Sequence, residues 1–278
     1  MIDEIAGLVR RALEEDIGSG DVTSRACVPE NRDATGIFLA REEQILAGLD
    51  LLPLIYELRG GVDLLEIYRR DGDRVMDGET IAFVKGRART LLECERVALN
   101  FLQRLSGIAS LARQYAGRVA GTNCKVLDTR KTTPGLRRLE KMAAAAGGVT
   151  NHRMGLFDAI LIKNNHIAAA GGVRQALENA RVHAQTSGLP VEIEVRTARE
   201  IVEALDCGAT NLLLDNLSPA EAAAQVRFIA GRATVELSGG ITLDSVRAYA
   251  ETGADFVSAG AITHSARAMD ISFRLELA

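Results

Sequence analysis

The chain has no tryptophan, and aromatic residues make up only 4% of its 278 positions. Stacking on exposed nucleobases therefore has little to work with, and a net charge of −4 argues against a general nucleic-acid binder. No apolar run approaches the roughly 20 residues needed to cross a bilayer, so no membrane partner is expected. The opening stretch, MIDEIAGLVRRALEED, lacks the basic start and apolar core of a signal peptide, which makes the cytoplasm the expected compartment. The cysteines Cys27, Cys94, Cys124 and Cys207 are far apart and unpaired in spacing. This excludes a zinc framework or disulfide scaffold and predicts buried free thiols. Neither HExxH nor GxGxxG occurs, and no GKS or GKT follows the Gly18–Gly20 turn.

What is present is a strongly biased stretch between Lys125 and His166. It carries Lys125, Arg130, Lys131, Arg137, Arg138, Lys141, Arg153 and Lys163 against Asp128, Glu140 and Asp158. Such a local excess of cations implies an anionic ligand or a solvated basic face. Arg130 and Lys131 follow one short apolar run and Lys163 ends another, and cations at the ends of buried strands converge on a shared cleft.

In chain order, Ile2, Ile5, Leu8, Val9 and Leu13 recur at helical spacing. Strand candidates at 36–40, 44–47, 62–68 and 80–84 come with Asp-Gly turns, so residues up to about 86 read as a small α+β domain with a mainly antiparallel sheet. Helical periodicity at 89–106 is interrupted at Gly107 and resumes at 108–119, predicting a pair of bridging helices. From Lys125 onward, apolar runs at 125–128, 159–163, 191–195, 211–215, 234–238 and 255–258 alternate with helical segments. Repeated strand–helix units predict a closed or nearly closed parallel barrel, with a doubly wound sheet as the alternative.

Chemistry in a parallel barrel sits at the C-terminal ends of the strands. Here those ends deliver Arg130-Lys131, Lys163, Glu194, Asp215, Ser238-Gly239-Gly240 and Gly260. The glycine turns suit backbone N–H contact with a phosphate. Glu194 and Asp215 either hold a magnesium ion or form ion pairs with Lys131 and Lys163. His152 and His264 are placed for anion contact, His166 to cap the loop after its strand, and His183 on the surface. On chemistry alone, Lys163 also suits a Schiff-base lysine.

The segments Asp128-Thr129-Arg130-Lys131-Thr132-Thr133-Pro134-Gly135, Asn151-His152-Arg153 and Lys163-Asn164-Asn165-His166 closely resemble the quinolinate phosphoribosyltransferase family. The likeness extends to Glu95-Arg96-Val97-Ala98, Leu214-Asp215-Asn216, Ser238-Gly239-Gly240-Ile241 and Thr263-His264-Ser265. The resemblance implies an α/β protein of type II phosphoribosyltransferase kind. Residues 1–107 would form an α/β sandwich domain joined by a tail at about 268–278, and 108–267 an incomplete α/β barrel. It implies phosphoribosyl transfer from phosphoribosyl pyrophosphate to quinolinate with decarboxylation, requiring Mg2+. It further implies a homodimer, or a higher assembly, with shared sites. Arg130, Lys131, His152 and Arg153, with Arg96 from the partner, would bind quinolinate. Ser238, Gly239, Gly240, Gly260 and His264 would hold the 5′-phosphate. Lys131, Lys163, Glu194 and Asp215 would carry catalysis, the two carboxylates holding the metal. Two positions depart from the family pattern: Asn164 stands where Asp is usual, and Arg196 where an acidic residue is common. A ModD-type paralogue linked to molybdenum transport and a non-catalytic phosphosugar-binding regulator are the alternatives.

Overall fold

The computed structural model describes residues 2–277, which divide into two compact units. The first comprises residues up to 111, 145–148 and 266 onward. Its four-stranded antiparallel sheet has the order Ile271–Leu277, Asp33–Ala40, Thr80–Arg87, Leu64–Ile67, so the last strand of the chain pairs with the first. Every second residue of Asp33–Ala40 is buried, as a two-residue period requires of a strand with one covered face. Phe38 pairs with Phe273 across the strands, ring centroids 4.8 Å apart. The glycine-rich turn after the first helix, Ile2–Ile17, ends at Asp21, whose side chain accepts the Ser24 N–H at 2.9 Å and starts the helix Val22–Cys27.

The expected pair of bridging helices is one continuous helix, Ala88–Arg118. Gly107 does not break it. A Cβ built on Gly107 would lie 1.8 Å from the Arg267 carbonyl oxygen, so glycine is there to let another backbone approach. Tertiary packing, rather than a helix stop, explains the residue. Among the cysteines, Cys94, Cys124 and Cys207 are buried as expected, whereas Cys27 is exposed on its short helix.

The second unit comprises residues 112–144 and 149–265. It holds six parallel strands in the order Lys125–Leu127, Phe256–Ser258, Thr234–Ser238, Asn211–Asp215, Val191–Val195, Ile160–Ile162. Consecutive strands are neighbours from Ile160–Ile162 to Phe256–Ser258, and the last then pairs with the first. That cyclic progression has no reversal of strand order, which excludes the doubly wound alternative. Among the described residues the two edge strands do not pair, so the barrel is incomplete; Thr150 forms an isolated bridge with Leu127. Helices begin where the sequence supplies caps. Thr197 and Ser218 each accept the N–H of a glutamate three residues on, Glu200 and Glu221, whose side chains return to the cap backbone.

Replacing Gly107 by alanine forces the Arg267 carbonyl or the helix to shift. Chemical denaturation is expected to show a loss of about 1–3 kcal/mol in the variant. Unchanged stability would mean that this close approach is not a constraint.

Candidate active site

The strand Lys125–Leu127 leads directly into Asp128, a carboxylate with no solvent exposure. Asp128 pairs with Lys141, itself 1% exposed, on the helix Arg137–Ala146. It also accepts the Asn151 side-chain N–H at 2.6 Å and the His152 backbone N–H at 2.8 Å. Lys141 donates a further bond to the His152 carbonyl at 2.9 Å. Thus one of the cations first counted toward ligand binding is structural: Lys141 is buried against Asp128. Arg137 is likewise occupied, donating to Thr132 Oγ1 at 3.0 Å and to the Met154 carbonyl at 3.2 Å.

The loop that these contacts fix opens on a cleft of about 1070 Å3. Arg130, Lys131, His152, Arg153, Lys163, Glu194, Asp215, Ser238, Gly239, Gly240, Gly260 and His264 all line it. Arg96, on the long helix, does not. Arg130 Nε is buried without a hydrogen-bond partner, an exception among buried polar groups. Arg153 donates to the Ala159 carbonyl at 3.1 Å, while burial and the neighbouring Arg130 hold it below the ordinary arginine value. Two like charges kept this close favour an anion between them.

After the strand Thr234–Ser238, Gly239 and Gly240 have φ of +99° and +62°, conformations suited to glycine. A Cβ on Gly239 would also meet Asn216 Oδ1 at 2.3 Å. At Gly260 the reason is space: a Cβ would lie 2.8 Å from Lys131 Cδ, so the lysine stem runs over the bare backbone. His264 Nδ1 lies 2.6 Å from Ser265 Oγ. His166 accepts the Lys163 N–H at 2.9 Å and caps the loop as its position suggested, and His183 is exposed on its helix.

Parallel register sets Ser238 beside Asp215, and Ser238 Oγ donates to Asp215 Oδ1 at 2.7 Å. Lys163 Nζ lies 3.6 Å from Glu194 Oε2. The second cation at this carboxylate pair is Arg196, not Lys131. Its Nη2 lies 3.1 Å from both Glu194 Oε1 and Asp215 Oδ2. Two hard oxygen donors already converge on one cation, and such a donor set fits magnesium.

Below the cations lies a second charged layer that sequence reading missed. His152 Nε2 is 3.2 Å from Glu236 and 3.5 Å from Glu192. One ligand atom from each of the three lies within 4.8 Å of the others. Burial opposes charge on His152, but hydrogen bonds to Glu192 and Glu236 outweigh it and push the ring up to about 9. Its Nδ1 accepts the Arg153 N–H at 2.7 Å, a contact that a second ring proton would cost and that opposes the rise. Burial in turn raises Glu192, with Glu236 nearby adding to the rise against the opposing pull of His152. The signal was in the alternation. Glu192 and Glu194 share one face of their strand, as do Glu236 and Ser238.

Comparison with known proteins assigns a family. The family model for the quinolinate phosphoribosyl transferase C-terminal domain matches residues 108–274, and that for the N-terminal domain matches 21–106. The chain belongs to this family. Within the quinolinate phosphoribosyltransferases, it is 39% identical to a probable nicotinate-nucleotide pyrophosphorylase [carboxylating] of Bacillus subtilis, with 99% of this chain and 94% of that one covered. It is also 39% identical to quinolinate phosphoribosyltransferase [decarboxylating] 2a, mitochondrial, of Nicotiana tabacum, covering 98% and 82%. The crystal structure of NadC from Streptococcus pyogenes superposes with a TM-score of 0.94 at 38% identity, covering 100% of this chain and 98% of that one. The nicotinate-nucleotide pyrophosphorylase of Francisella tularensis gives 0.92 at 38% identity, with 99% and 96% covered.

The raised His152 value has a direct test. The ring should carry its charge below about 9 and lose it above, with a midpoint at or just under that value in an NMR titration. Glu236→Gln should return the midpoint toward the ordinary histidine range. A wild-type midpoint near the usual 6.5 would show that the carboxylates do not hold the proton.

Proposed function

We propose that the chain joins quinolinate to phosphoribosyl pyrophosphate, releasing pyrophosphate and carbon dioxide and leaving nicotinate mononucleotide, a step of NAD biosynthesis. One observation carries this reading: Arg130, Lys131, His152, Arg153 and Lys163 converge on one cleft, with Arg130 Nε buried and unpartnered. A small aromatic dicarboxylate is the kind of ligand such a cluster suits, because the planar guanidinium groups can bind carboxylates in bidentate fashion.

In this reading Arg130, Lys131 and Arg153 hold the dicarboxylate and aim the pyridine nitrogen at C1′ of the ribose. His152, whose two ring nitrogens meet the Arg153 N–H and the Glu192 and Glu236 carboxylates, lines the pocket and positions Arg153. Ser238, Gly239, Gly240, Gly260 and His264 hold the 5′-phosphate, using backbone N–H groups and the imidazole. As the C1′–O bond to pyrophosphate breaks, the sugar becomes cationic and the leaving group gains charge. Lys131 and Lys163 stabilise that leaving charge. Glu194 and Asp215 would hold magnesium, which when bound supplies further neutralisation of the pyrophosphate oxygens. After attack, the ring nitrogen is positive. The adjacent C–carboxylate bond then breaks, its electron pair stays on the ring carbon beside that nitrogen, and a proton replaces carbon dioxide. Fixed charge and placement supply the catalysis.

A homodimer in which Arg96 of the partner subunit completes the quinolinate pocket belongs to the same proposal. So does a cytoplasmic location; the Bacillus subtilis relative is named without an organelle and the tobacco relative as mitochondrial. No helix among the described residues is long and apolar enough to cross a membrane.

Purified protein given quinolinate and phosphoribosyl pyrophosphate should form nicotinate mononucleotide and carbon dioxide with magnesium present, and none after chelation. Nicotinate in place of quinolinate should give no product. Folded protein without turnover would overturn the reading. Lys131→Ala and Arg153→Ala should each lower kcat/KM by at least ~10²-fold without unfolding the chain. Wild-type rates in either variant would remove that residue from the machinery. Mixing Arg96→Ala with Lys131→Ala protein should restore activity, since a mixed dimer holds one intact shared site. No recovery after demonstrated subunit exchange would refute shared sites.

A further inference from the structure

Arg196 stands where the proposed magnesium would bind. A single guanidinium nitrogen, Nη2, lies 3.1 Å from Glu194 Oε1 and 3.1 Å from Asp215 Oδ2. Magnesium on these oxygens requires contacts of about 2.0–2.1 Å. The nitrogen and the ion therefore cannot occupy the gap together.

The arginine is anchored at its backbone, and its tip meets the two carboxylates. Its N–H donates to Glu200 Oε2 at 2.8 Å, and that glutamate also caps the helix Ala198–Asp206. The side chain is 51% exposed, whereas Glu194 and Asp215 are 7% and 15% exposed. The carboxylates are thus enclosed, and the arginine reaches them from the solvent side. Asn216 Nδ2 donates to the same Asp215 Oδ2 at 2.7 Å, Ser238 Oγ donates to Oδ1 at 2.7 Å, and Lys163 approaches the opposite oxygen of Glu194.

We propose that Arg196 is a tethered counter-ion of Glu194 and Asp215 that keeps free divalent ions off the substrate-free enzyme. It must swing outward before a metal ion can sit on the pair. A pyrophosphate-bearing substrate offers the displaced guanidinium a new anionic partner, so metal and substrate arrive together. Arg196 is in this sense a specificity-determining residue for metal entry. The inference rests on the reading of Glu194 and Asp215 as the metal carboxylates.

Manganese is the probe, because free Mn2+ can be counted by its electron paramagnetic resonance signal. Full-length wild type, Arg196→Ala and Arg196→Lys would be titrated without substrate. Removing the competing cation should tighten Mn2+ binding in Arg196→Ala by about tenfold or more. Arg196→Lys should fall between, since the lysine keeps the charge on a shorter, more strongly hydrated group. Without metal, Arg196→Ala should melt below wild type and recover on adding Mn2+, while wild type should change little. The gain in affinity should vanish when Glu194→Gln is added. Equal affinities in wild type and Arg196→Ala, no binding by either protein, or a gain that survives Glu194→Gln would overturn the proposal. None of these measurements uses turnover, so failure here is separable from failure of the proposed reaction.

Discussion

Asp128 and Lys141 form an ion pair almost wholly removed from solvent, and three separate stretches of chain are tied to it. Charges buried this deeply are costly to desolvate, and the pair is tolerated because its remaining donors and acceptors are satisfied. Asn151 and the His152 N–H complete the shell of the carboxylate, and the His152 carbonyl takes a bond from the ammonium. Losing either partner alone would strand a buried charge, at a cost of about 3–5 kcal/mol. The functional consequence lies one residue further on. The pair fixes the backbone from which His152 and Arg153 project, so the cationic wall of the cleft is held by contacts that never meet a ligand.

Beneath that wall the barrel stacks charge in layers. Strand alternation turns Glu192 and Glu194 of one strand, and Glu236 of another, to the same interior. The deeper carboxylates, Glu192 and Glu236, brace His152, while Glu194 and Asp215 sit nearer the strand ends among Lys163 and Arg196. This ordering answers how many cations can share one cleft. The carboxylates relieve part of their repulsion from below, and Arg130 and Arg153 remain close enough to favour an anion between them.

Much of this was legible in the sequence because barrel chemistry follows strand ends. Short apolar runs capped by Glu194, Asp215 or Ser238 place those residues on one rim whatever the intervening helices do. Other residues had no local signature. Lys141 looks like any cation in a basic stretch, and only the fold puts it against Asp128. Gly107 looks like a helix break, yet its meaning depends on Arg267, far away in the chain. Arg196 was visible as a departure from the family pattern, but its reach to Asp215 depends on the register of adjacent strands, Val195 beside Leu214. Glu192 and Glu236 were different: the period of two pointed to them, and the reading followed strand ends alone.

The two kinds of cation in this unit suit different demands. Lys141 is fully buried and cannot follow a ligand, which is appropriate to a residue that fixes geometry. Lys163 and Arg196 are each 51% exposed and carry their charge inward on long stems. Ion pairs that remain half in water are individually weak, so they exchange partners at little cost. A site that first binds a polyanion and then releases part of it needs that property. Rigid buried cations would hold the departing fragment as firmly as the substrate, and uniform binding of that sort does not speed turnover. In the proposed reaction, half-exposed cations around Glu194 and Asp215 therefore match what the leaving-group half of the cleft must do.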